Sequence, residues 1–594
     1  MLNSKVSRRV FATAGAAALG CASLVAASAQ SAGAAVSSPS PITYQSSTVP
    51  LQDLGAVNLT AIAGTGAPPP PSGSSNGTVL NSPENGVGPG NGNGPSLVHG
   101  TIGSGAGVGS TSGRDGGEIG FEGISGPQQA AVNGGGDLEP PDQGTCVGPS
   151  TNGGGPIDVE IINNAVAAYS TTGTPELAVT PTYALFNQPS TAFLSDPRCM
   201  YDATTHRWFF TEFVVGAVGP GNTELSPSIE FVAVSKTSNP LGNYEVFGID
   251  TTDVANTAGG CPCFGDYDQI GADSNGFYIA TNEFSTNEPF FNGAVVYAIS
   301  KQRLESAAAG GTLPSVARYA ITSDAFGQPY HVSPASTPSG GSFAPNTEFF
   351  VESNSDANSD NHLLVYALTG TQVLANGGNP ALSATEVVSE PYAFPPNATQ
   401  EAGTLPLGST VGATSPSTIQ TDFNAVQEVT YTEGNLYAEL DTAIGTTSTP
   451  NAGISWFILN ASSDHRGISA SIRRQGYVAN TANLMYPDIV VNGEGHGILD
   501  FSLSGTSNYP SAAYMTFNNG GPAGQIRIAA AGTAPEDGFT CYPAFVGSTS
   551  CRWGDYSGGQ FWNGRVYLMA EYIPPSTRDF YTNWGTFAWS VTTP

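Results

Sequence analysis

Acidic residues recur at one position of a repeated apolar segment along most of the chain. Seven short runs rich in aromatic and β-branched residues end in a carboxylate, and successive acids lie 52 to 87 residues apart. These acids are Glu160, Glu212, Glu283, Glu352, Glu439, Asp500 and Glu571. A second acid precedes most of the runs, and this set is Asp142, Asp196, Asp266, Asp488 and Asp555. In the fourth unit His331 takes that place, and in the fifth Asp422 is a looser match.

Carboxylates brought together in this number could do two kinds of chemistry. They could hold a hard cation such as Ca²⁺, which takes six to eight oxygen ligands. They could also supply an acid/base pair for hydrolysis, for which the best candidates are Asp266 with Glu283 and Asp555 with Glu571. The alternative is structural: the acids accept backbone N–H bonds in turns and hold neighbouring units together.

The elements that must position these acids are β-strands. Each acid-ended run is followed by a second apolar run, and Gly, Pro, Asn and Ser separate the two. A repeat of this length suits a four-stranded propeller blade with variable loops. We therefore predict an all-β fold, a seven-bladed β-propeller over residues 139–594. Six blades is the alternative, if the first unit only patches the last. The last blade lacks a fourth strand, and residues 118–124 could supply it and close the ring.

In such a blade the start of the first strand and the end of the second strand share one face. The repeated acids should then converge around one mouth of the central channel. The predicted ligand face comprises Asp142, Glu160, Asp196, Glu212, His331, Glu352, Glu439, Asp488, Asp500 and Trp553, beside the two candidate catalytic pairs. Trp553 belongs to it because it stands two residues before Asp555, as aromatic residues do in sugar and cation sites. The alternative is a buried Trp that packs between blades.

Composition limits the possible partners. The chain of 594 residues has 75 glycines and 44 prolines, and only 11% of its residues are charged. With 47 acids against 17 bases the net charge is −30, which disfavours nucleic acid and anionic membranes. A surface with few charges suits low pH, where most carboxylates are protonated, so we expect an acidic environment. Residues 30–138 are rich in Gly, Pro, Ser and Asn, which predicts a disordered linker.

The N-terminus and the cysteines indicate export. Arg8-Arg9 precedes an Ala-rich run, which resembles a Tat-type signal peptide over residues 1–29. A lipid anchor at Cys21 is the minor alternative, and no later run is apolar enough to span a membrane. Six cysteines remain, and an even number in an exported chain predicts disulfides. Proximity favours Cys541–Cys551 and Cys146–Cys199, whereas Cys261 and Cys263 would close a very small ring.

Several motifs together resemble a family of large secreted bacterial propeller-like proteins. They are Glu139-Pro140-Pro141-Asp142-Gln143-Gly144, Asp196-Pro197 with Arg207-Trp208-Phe209, Gly265-Asp266-Tyr267 with Ile270-Gly271-Ala272-Asp273, Asn275-Gly276-Phe277-Tyr278-Ile279, and Arg552-Trp553-Gly554-Asp555-Tyr556. The resemblance covers nearly all of residues 139–594. It implies export and a propeller fold, and it implies no catalytic residues.

Two functions follow from these patterns. The first is a secreted, monomeric propeller that binds an extracellular glycan or protein at the acid-lined face. The second is a secreted hydrolase or lyase that works at low pH with one of the carboxylate pairs. A shielded carboxylate pair in a cleft would favour the enzyme, whereas a filled channel and a solvated face would favour binding.

Overall fold

The structure is a computed structural model, and its description covers most of the chain after residue 41. The described residues are 42–64, 80–81, 118–150, 155–216, 218–219, 223–224, 226–254, 260–286, 290–355, 359–421, 423–446, 449–464, 467–546, 548–575 and 578–593. The predicted signal over 1–29, Cys21, Asp422 and much of the predicted linker lie outside these residues. Within the described ranges no helix is both long and apolar enough to cross a membrane.

Four strands and two short helices precede the first repeated unit. They are β1 (Ile42–Tyr44), β2 (Ser47–Asn58), α1 (Leu59–Ile62), β3 (Leu80–Asn81), β4 (Ile119–Ser125) and α2 (Gly126–Val132). The chain continues through β5 (Leu138–Glu139), which pairs in parallel with β3.

The remaining chain folds into antiparallel arrays of strands that follow one another in sequence. Array 1 is β6 (Gly144–Gly148), β7 (Ile157–Ile162), β8 (Ala165–Ser170) and β9 (Pro175–Pro181), followed by α3 (Thr182–Leu185). Array 2 is β10 (Leu194–Asp202), β11 (Arg207–Val214), β14 (Ile229–Ser235) and β15 (Asn243–Asp250), with the hairpin β12 (Val218–Gly219) and β13 (Thr223–Glu224) between its second and third strands. Array 3 is β16 (Cys263–Ala272), β17 (Gly276–Ser285), β18 (Phe291–Ser300) and β19 (Ser315–Ile321), with α4 (Lys301–Ala308) before its last strand.

The later arrays repeat the same order. Array 4 is β20 (Ser333–Pro334), β21 (Thr347–Ser353), β22 (Ser359–Thr369) and β23 (Ala381–Ala393). A short strand, β24 (Thr418–Ile419), precedes array 5, which is β25 (Val426–Thr432), β26 (Asn435–Thr446), β27 (Thr449–Asp464) and β28 (Gly467–Val478). Array 6 is β29 (Asn483–Val491), β30 (Gly497–Gly505), β31 (Asn508–Asn518) and β32 (Gly521–Ala530). After β33 (Ser550–Cys551), which pairs with β24, array 7 is β34 (Gly558–Trp562), β35 (Arg565–Tyr572), β36 (Gly585–Thr592) and β4.

The first strands of the arrays form a closed cycle. Each of β6, β10, β16, β20, β25, β29 and β34 lies beside the next, and β34 lies beside β6. The all-β propeller class predicted from the repeats is thereby confirmed. Seven four-stranded arrays lie in the described ranges, and the seven-blade count stays a prediction that these arrays support.

The core lies between neighbouring arrays because their second and third strands are buried on both faces. Residues of β7, β11, β17 and β30 are buried at nearly every position. Phe209 of array 2, for example, stacks on Phe277 of array 3 with ring centroids 4.8 Å apart. This burial explains why these segments are continuous apolar runs in the sequence rather than alternating ones.

The segment before residue 139 corrects one prediction. Residues 30–138 are not a linker throughout, because β2 pairs with the outer strands of arrays 2 and 3 and β1 pairs with β23 of array 4. Leu51 and Leu59 are buried there, so this stretch does hide apolar surface despite its polar composition. At the other end of the segment, β4 pairs with β36 at the place proposed for residues 118–124.

Candidate functional site

The repeated acids are buried and do not line an open face. None of the following is more than 4% exposed: Asp142, Glu160, Asp196, Glu212, Asp266, Glu283, Glu352, Glu439, Asp488, Asp500, Asp555 and Glu571. The predicted acid-lined ligand face is therefore wrong as an exposed surface. The physical reason is that most of these carboxylates accept hydrogen bonds from backbone N–H groups, which satisfies them without solvent.

Acids at the starts of the arrays join neighbouring arrays. Asp196 of array 2 accepts the N–H of Tyr267 in array 3 at 2.8 Å, and Asp142 accepts the N–H of Asp555 at 2.8 Å. Asp196 and Tyr267 have φ angles of 57° and 51°, in the left-handed region. There the chain bulges out of the inner strand and turns an N–H group toward the preceding array. These acids therefore have the structural role given as the alternative, in which they accept backbone N–H bonds and hold neighbouring units together.

Acids at the ends of the second strands make similar bonds. The accepted N–H groups are those of Ile124 at Glu160, Asn164 at Glu212, Tyr330 at Glu352, Glu428 at Glu439 and Gly554 at Glu571. Burial raises the pKa of Glu160 to about 7, although its hydrogen bonds oppose that shift. Burial also raises the pKa of Glu212, Glu352, Glu439 and Glu571, and these side chains serve as packed polar contacts.

The two predicted catalytic pairs are enclosed in the same way. Asp555 receives two hydrogen bonds from the guanidinium of Arg552, at 2.6 and 2.9 Å, and Glu571 accepts from Gly554 at 2.6 Å. Glu283 is 4% exposed, and burial raises its pKa to about 7. Neither pair borders the cavity described below. The structure therefore contradicts the idea that substrate reaches them.

His331 and Trp553 are buried packing residues. The imidazole of His331 lies between the rings of Tyr267 and Tyr330, with centroids 3.9 and 4.1 Å away, and burial holds its pKa well below the usual range. The indole N–H of Trp553 donates to Ser502 Oγ at 2.9 Å. Neither ring faces solvent, because each fills space within the propeller.

Three disulfides are formed, and no metal site is found in the part of the chain that the structure describes. The pairs are Cys146–Cys199, Cys261–Cys263 and Cys541–Cys551. The two pairings favoured by proximity are present, and the small ring at Cys261–Cys263 is also closed. Among the described residues no three His, Cys, Asp or Glu side chains are grouped to hold a metal ion, so the Ca²⁺ hypothesis gains no site here.

A cavity of about 360 Å³ lies in the central channel. Six of the seven arrays contribute to it through their first strands, and array 4 contributes the loop after β20, which covers one side. Its lining extends to Ala203 and Thr204, in the turn between β10 and β11. It therefore opens on the face opposite the predicted one. Apolar walls come from side chains such as Met200, Ile270 and Phe561.

Three charged side chains meet at the inner end of this cavity. Arg198 Nη1 lies 2.5 Å from Glu428 Oε1, and Asp488 is the third member. Burial raises the pKa of Asp488 well above its usual range, and the neighbouring Glu428 raises it further. Burial also raises the pKa of Glu428, against the pull of Arg198. The cluster thus combines a fixed cation, its paired carboxylate and a second carboxyl group whose pKa is raised by burial.

Arg198 is held rigidly by its surroundings. Its Nε donates to the backbone oxygen of Asp268 at 3.0 Å, and its guanidinium carbon lies 3.3 Å from the ring centroid of Tyr556. The Nη2 group is buried and has no hydrogen-bond partner among the residues described. A buried donor without a partner is costly, so Nη2 is well placed to donate a hydrogen bond to an oxygen of a bound molecule.

Two tyrosines close the channel beneath this cluster. The hydroxyl of Tyr267 lies 2.7 Å from both Gln427 Oε1 and the backbone oxygen of Asp555, and the hydroxyl of Tyr556 donates to Pro197 O at 2.9 Å. These bonds cross between non-adjacent arrays. They separate the cavity from the mouth at which the buried acids were expected to meet.

Sequence reasoning identified Asp488 but missed Arg198 and Glu428. Bulges interrupt the inner strands between Ser195 and Arg198, between Val426 and Val429, and between Met485 and Asp488. The same bulge in three arrays aims these side chains into the channel. Aligning the fifth unit on Asp422 put it several residues early. An alignment of the fifth unit on Gln427-Glu428 would have identified Glu428.

Comparisons with known proteins give only distant likenesses. No family model and no curated protein matches the chain. A solved sialidase of Trypanosoma rangeli in complex with the inhibitor DANA is 10% identical with a TM-score of 0.30, and the match covers 76% of this chain but only 58% of the sialidase. A native arabinanase of Bacillus subtilis is 11% identical with a TM-score of 0.26, covering 64% and 96%. An exo-β-1,3-galactanase of Clostridium thermocellum is 8% identical with a TM-score of 0.27, covering 76% and 95%. These values are too low to carry any residue role over to this chain.

Proposed function

We propose that this protein binds a neutral extracellular glycan in the channel cavity, with Arg198, Glu428 and Asp488 as its polar end. The observation that carries the proposal is the buried Nη2 group of Arg198, which lacks a partner among the described residues while its neighbour Nη1 is held by Glu428. A ligand oxygen placed there would satisfy a donor that is already oriented and desolvated.

The charge of the cluster selects the chemical class. The cation of Arg198 is balanced by Glu428, and the raised pKa of Asp488 keeps that group neutral in acid. An ionic ligand would leave one charge unpaired in a buried place, which is unfavourable. A sugar presents hydroxyl groups that both donate and accept, and its carbon face suits the apolar walls. A volume of about 360 Å³ is at the lower end of the range for small-ligand sites and fits one or two sugar rings.

Export is part of the same proposal. The three disulfides are typical of proteins that fold in an oxidising compartment. We propose that the Tat-type signal sends the chain out of the cell and that it belongs to the secreted propeller-like family it resembles. The acidic environment predicted from composition would keep Asp488 protonated. A protein ligand is the other occupant that the predicted function allowed, but a cavity of this size admits only a few side chains of such a ligand.

Binding to a panel of glycans with variants at Glu428 tests the proposal. The panel comprises neutral and acidic oligosaccharides at pH 3 and pH 6, with and without Ca²⁺. We expect wild-type binding to at least one neutral glycan, and a loss of about tenfold or more in Glu428→Gln, because a hydrogen bond to a charged group is worth about 1.5–3 kcal/mol.

The matched control is Glu305→Gln. Glu305 lies 2.7 Å from Arg207 in a similar ion pair away from the cavity, so its replacement should leave binding unchanged. Equal loss in both variants, or binding of acidic glycans alone, would overturn the proposal. Thermal unfolding of both variants checks that each is folded.

A second candidate function is hydrolysis of the bound glycan. The observation that favours it is the presence of two carboxyl groups with raised pKa values, Glu428 and Asp488, at the end of one cavity. A neutral acid beside an ionised carboxylate is the arrangement that glycoside hydrolysis requires. Release of reducing sugar by the wild type at pH 3–5, with retained binding but no release in Asp488→Asn, would establish it. Binding without release would leave the protein a glycan-binding propeller.

A further inference from the structure

A second cleft, of about 250 Å³, lies near the cavity between arrays 5 and 6. Its lining is polar throughout, with the hydroxyl end of one tyrosine as the aromatic contribution. The lining residues are Thr432, Glu433, Asn435, Tyr437, Asn460, Arg473, Gly493, Glu494 and Asn519. The cleft includes the turns that follow β25 and β29, which places it on the same face as the opening of the cavity.

The amide groups in this cleft are fixed by contacts of their own. Asn435 Oδ1 accepts from Arg473 at 3.1 Å, and its amide nitrogen donates to Glu433 O at 3.2 Å. Asn519 Oδ1 accepts from the hydroxyl of Tyr437 at 2.8 Å, and its amide nitrogen donates to Glu494 O at 2.5 Å. Planar donors and acceptors are therefore held in place before any ligand arrives, which lowers the entropic cost of binding.

Asn460 adds an exposed amide to this frame. It pairs directly with Asn435 across the β26–β27 ladder, so the two amides stand side by side. The described structure gives the side chain of Asn460 no hydrogen bond, and it is free to meet a ligand. The cleft thus offers fixed amides from two arrays and one exposed amide at its edge.

The cleft and the cavity are separated by a ridge that carries no side chains. Gly493 lines the cleft, while Gly340 and Gly341 line the cavity. The three glycines are in contact, since a Cβ placed on Gly493 would lie 3.2 Å from Gly340 O and from Gly341 Cα. Thr432 Oγ1 donates to Gly493 O at 2.8 Å and holds the ridge in position. At this contact only glycine backbone lies between the two sites.

We propose that the cleft is a subsite for further residues of the neutral oligosaccharide whose first residue occupies the cavity. This inference rests on the proposed function. The charges favour a neutral chain over an anionic one, because Glu433 and Glu494 outnumber the single guanidinium of Arg473. Fixed amides match the equatorial and axial hydroxyls of a sugar ring, which donate and accept in turn.

Affinity as a function of chain length tests the subsite. The probes are homo-oligosaccharides of glucose, galactose, mannose and xylose, one to six residues long, titrated by calorimetry. We expect the wild type to bind tetramers about tenfold or more tightly than the monomer, which corresponds to about one well-placed hydrogen bond or two weak ones. Asn460→Ala and Asn519→Ala should lower the affinity for tetramers toward that for the monomer and leave the monomer unaffected.

The control is Asn508→Ala, at the start of β31 in array 6, outside both the cleft and the cavity. Equal wild-type affinity for monomer and tetramer, or tetramer binding that both cleft variants leave unchanged, would overturn the subsite while monomer binding still supports the cavity. Glu428→Gln separates the two sites, because it should weaken monomer and tetramer alike. A wild type that binds none of these sugars would overturn both proposals.

Discussion

Single carboxylates show how chemistry-bearing residues can serve structure. Asp196 was a reasonable candidate for a ligand face because it starts a repeated unit in an acidic chain. In the structure its carboxylate accepts the N–H of Tyr267 and the hydroxyl of Ser195, and nothing about it is solvent-facing. Burial raises its pKa to about 6. Asp196 therefore joins arrays 2 and 3 through a buried hydrogen bond.

Replacing Asp196 tests this role. Asp196→Ala leaves the buried N–H of Tyr267 without an acceptor, which costs about 1–3 kcal/mol. Alanine also adopts the left-handed φ of 57° poorly, which adds about 1–2 kcal/mol. Asp196→Asn keeps an acceptor oxygen and tolerates that backbone, so it should lose far less. Denaturant unfolding at pH 4 measures the free energy of unfolding of both variants. Equal losses of stability in the two variants would contradict the structural role of this hydrogen bond.

The strands differ in how clearly their sequence patterns predict them. The buried second strands are recognisable in the sequence as apolar runs, and the repetition of these runs predicts the propeller. β2 has no such pattern, because Pro50, Asp53 and Gly55 interrupt it. Its partners lie in array 2 and array 3, about 190 and 270 residues away. Local composition predicted a linker, whereas the strand forms because two outer edges need covering.

Truncation tests the contribution of β1 and β2. A chain that begins at residue 65 lacks both strands and α1, which exposes the outer edges of arrays 2 and 3 and removes buried Leu51, Val57 and Leu59. Burying such side chains is worth about 1.5–3 kcal/mol each, so we expect a marked loss of thermal stability and concentration-dependent association. A chain that begins at residue 42 is the control and should behave as the full chain. Matching stability of the two truncated chains would contradict this role.

Bulges are the second element that sequence reasoning could not place. A bulge adds one residue to one strand and leaves no fixed pattern, so the register of each unit was uncertain by several positions. Because of this uncertainty, Asp422 was chosen for the fifth unit instead of Glu428, and Arg198 was not assigned to any site. The propeller class predicts a candidate site at a mouth of the channel, because ligands bind in the mouths of such folds. The end of the channel at which the cavity opens, and the placement of Arg198 and Glu428 beside it, required the three-dimensional register.

The whole molecule holds many carboxyl groups whose pKa values are raised by burial, and this sets its pH dependence. Burial brings the pKa of Glu160, Asp158 and Glu283 to about 7 each. In the unfolded chain they titrate near 4. Below pH 4 both states are protonated and the stability is fully present. Between about pH 4 and 7 the unfolded state releases protons first, so the free energy of unfolding falls as pH rises.

One pair opposes this trend and offers a control for it. Asp202 is buried, but Lys301 at 3.0 Å and neighbouring threonines lower its pKa, so its contribution is lost as pH falls. We expect the groups with raised pKa values to dominate because they are more numerous. Guanidinium chloride unfolding at pH 3, 5, 7 and 8, with disulfides intact, should show the highest stability at or below pH 5. Glu160→Gln and Glu283→Gln should each flatten the decline, whereas Asp202→Asn should remove only the acid-side loss. A stability maximum near pH 7 in the wild type would contradict the predicted adaptation to acid. It would also contradict the explanation of the low content of charged residues by an acidic environment.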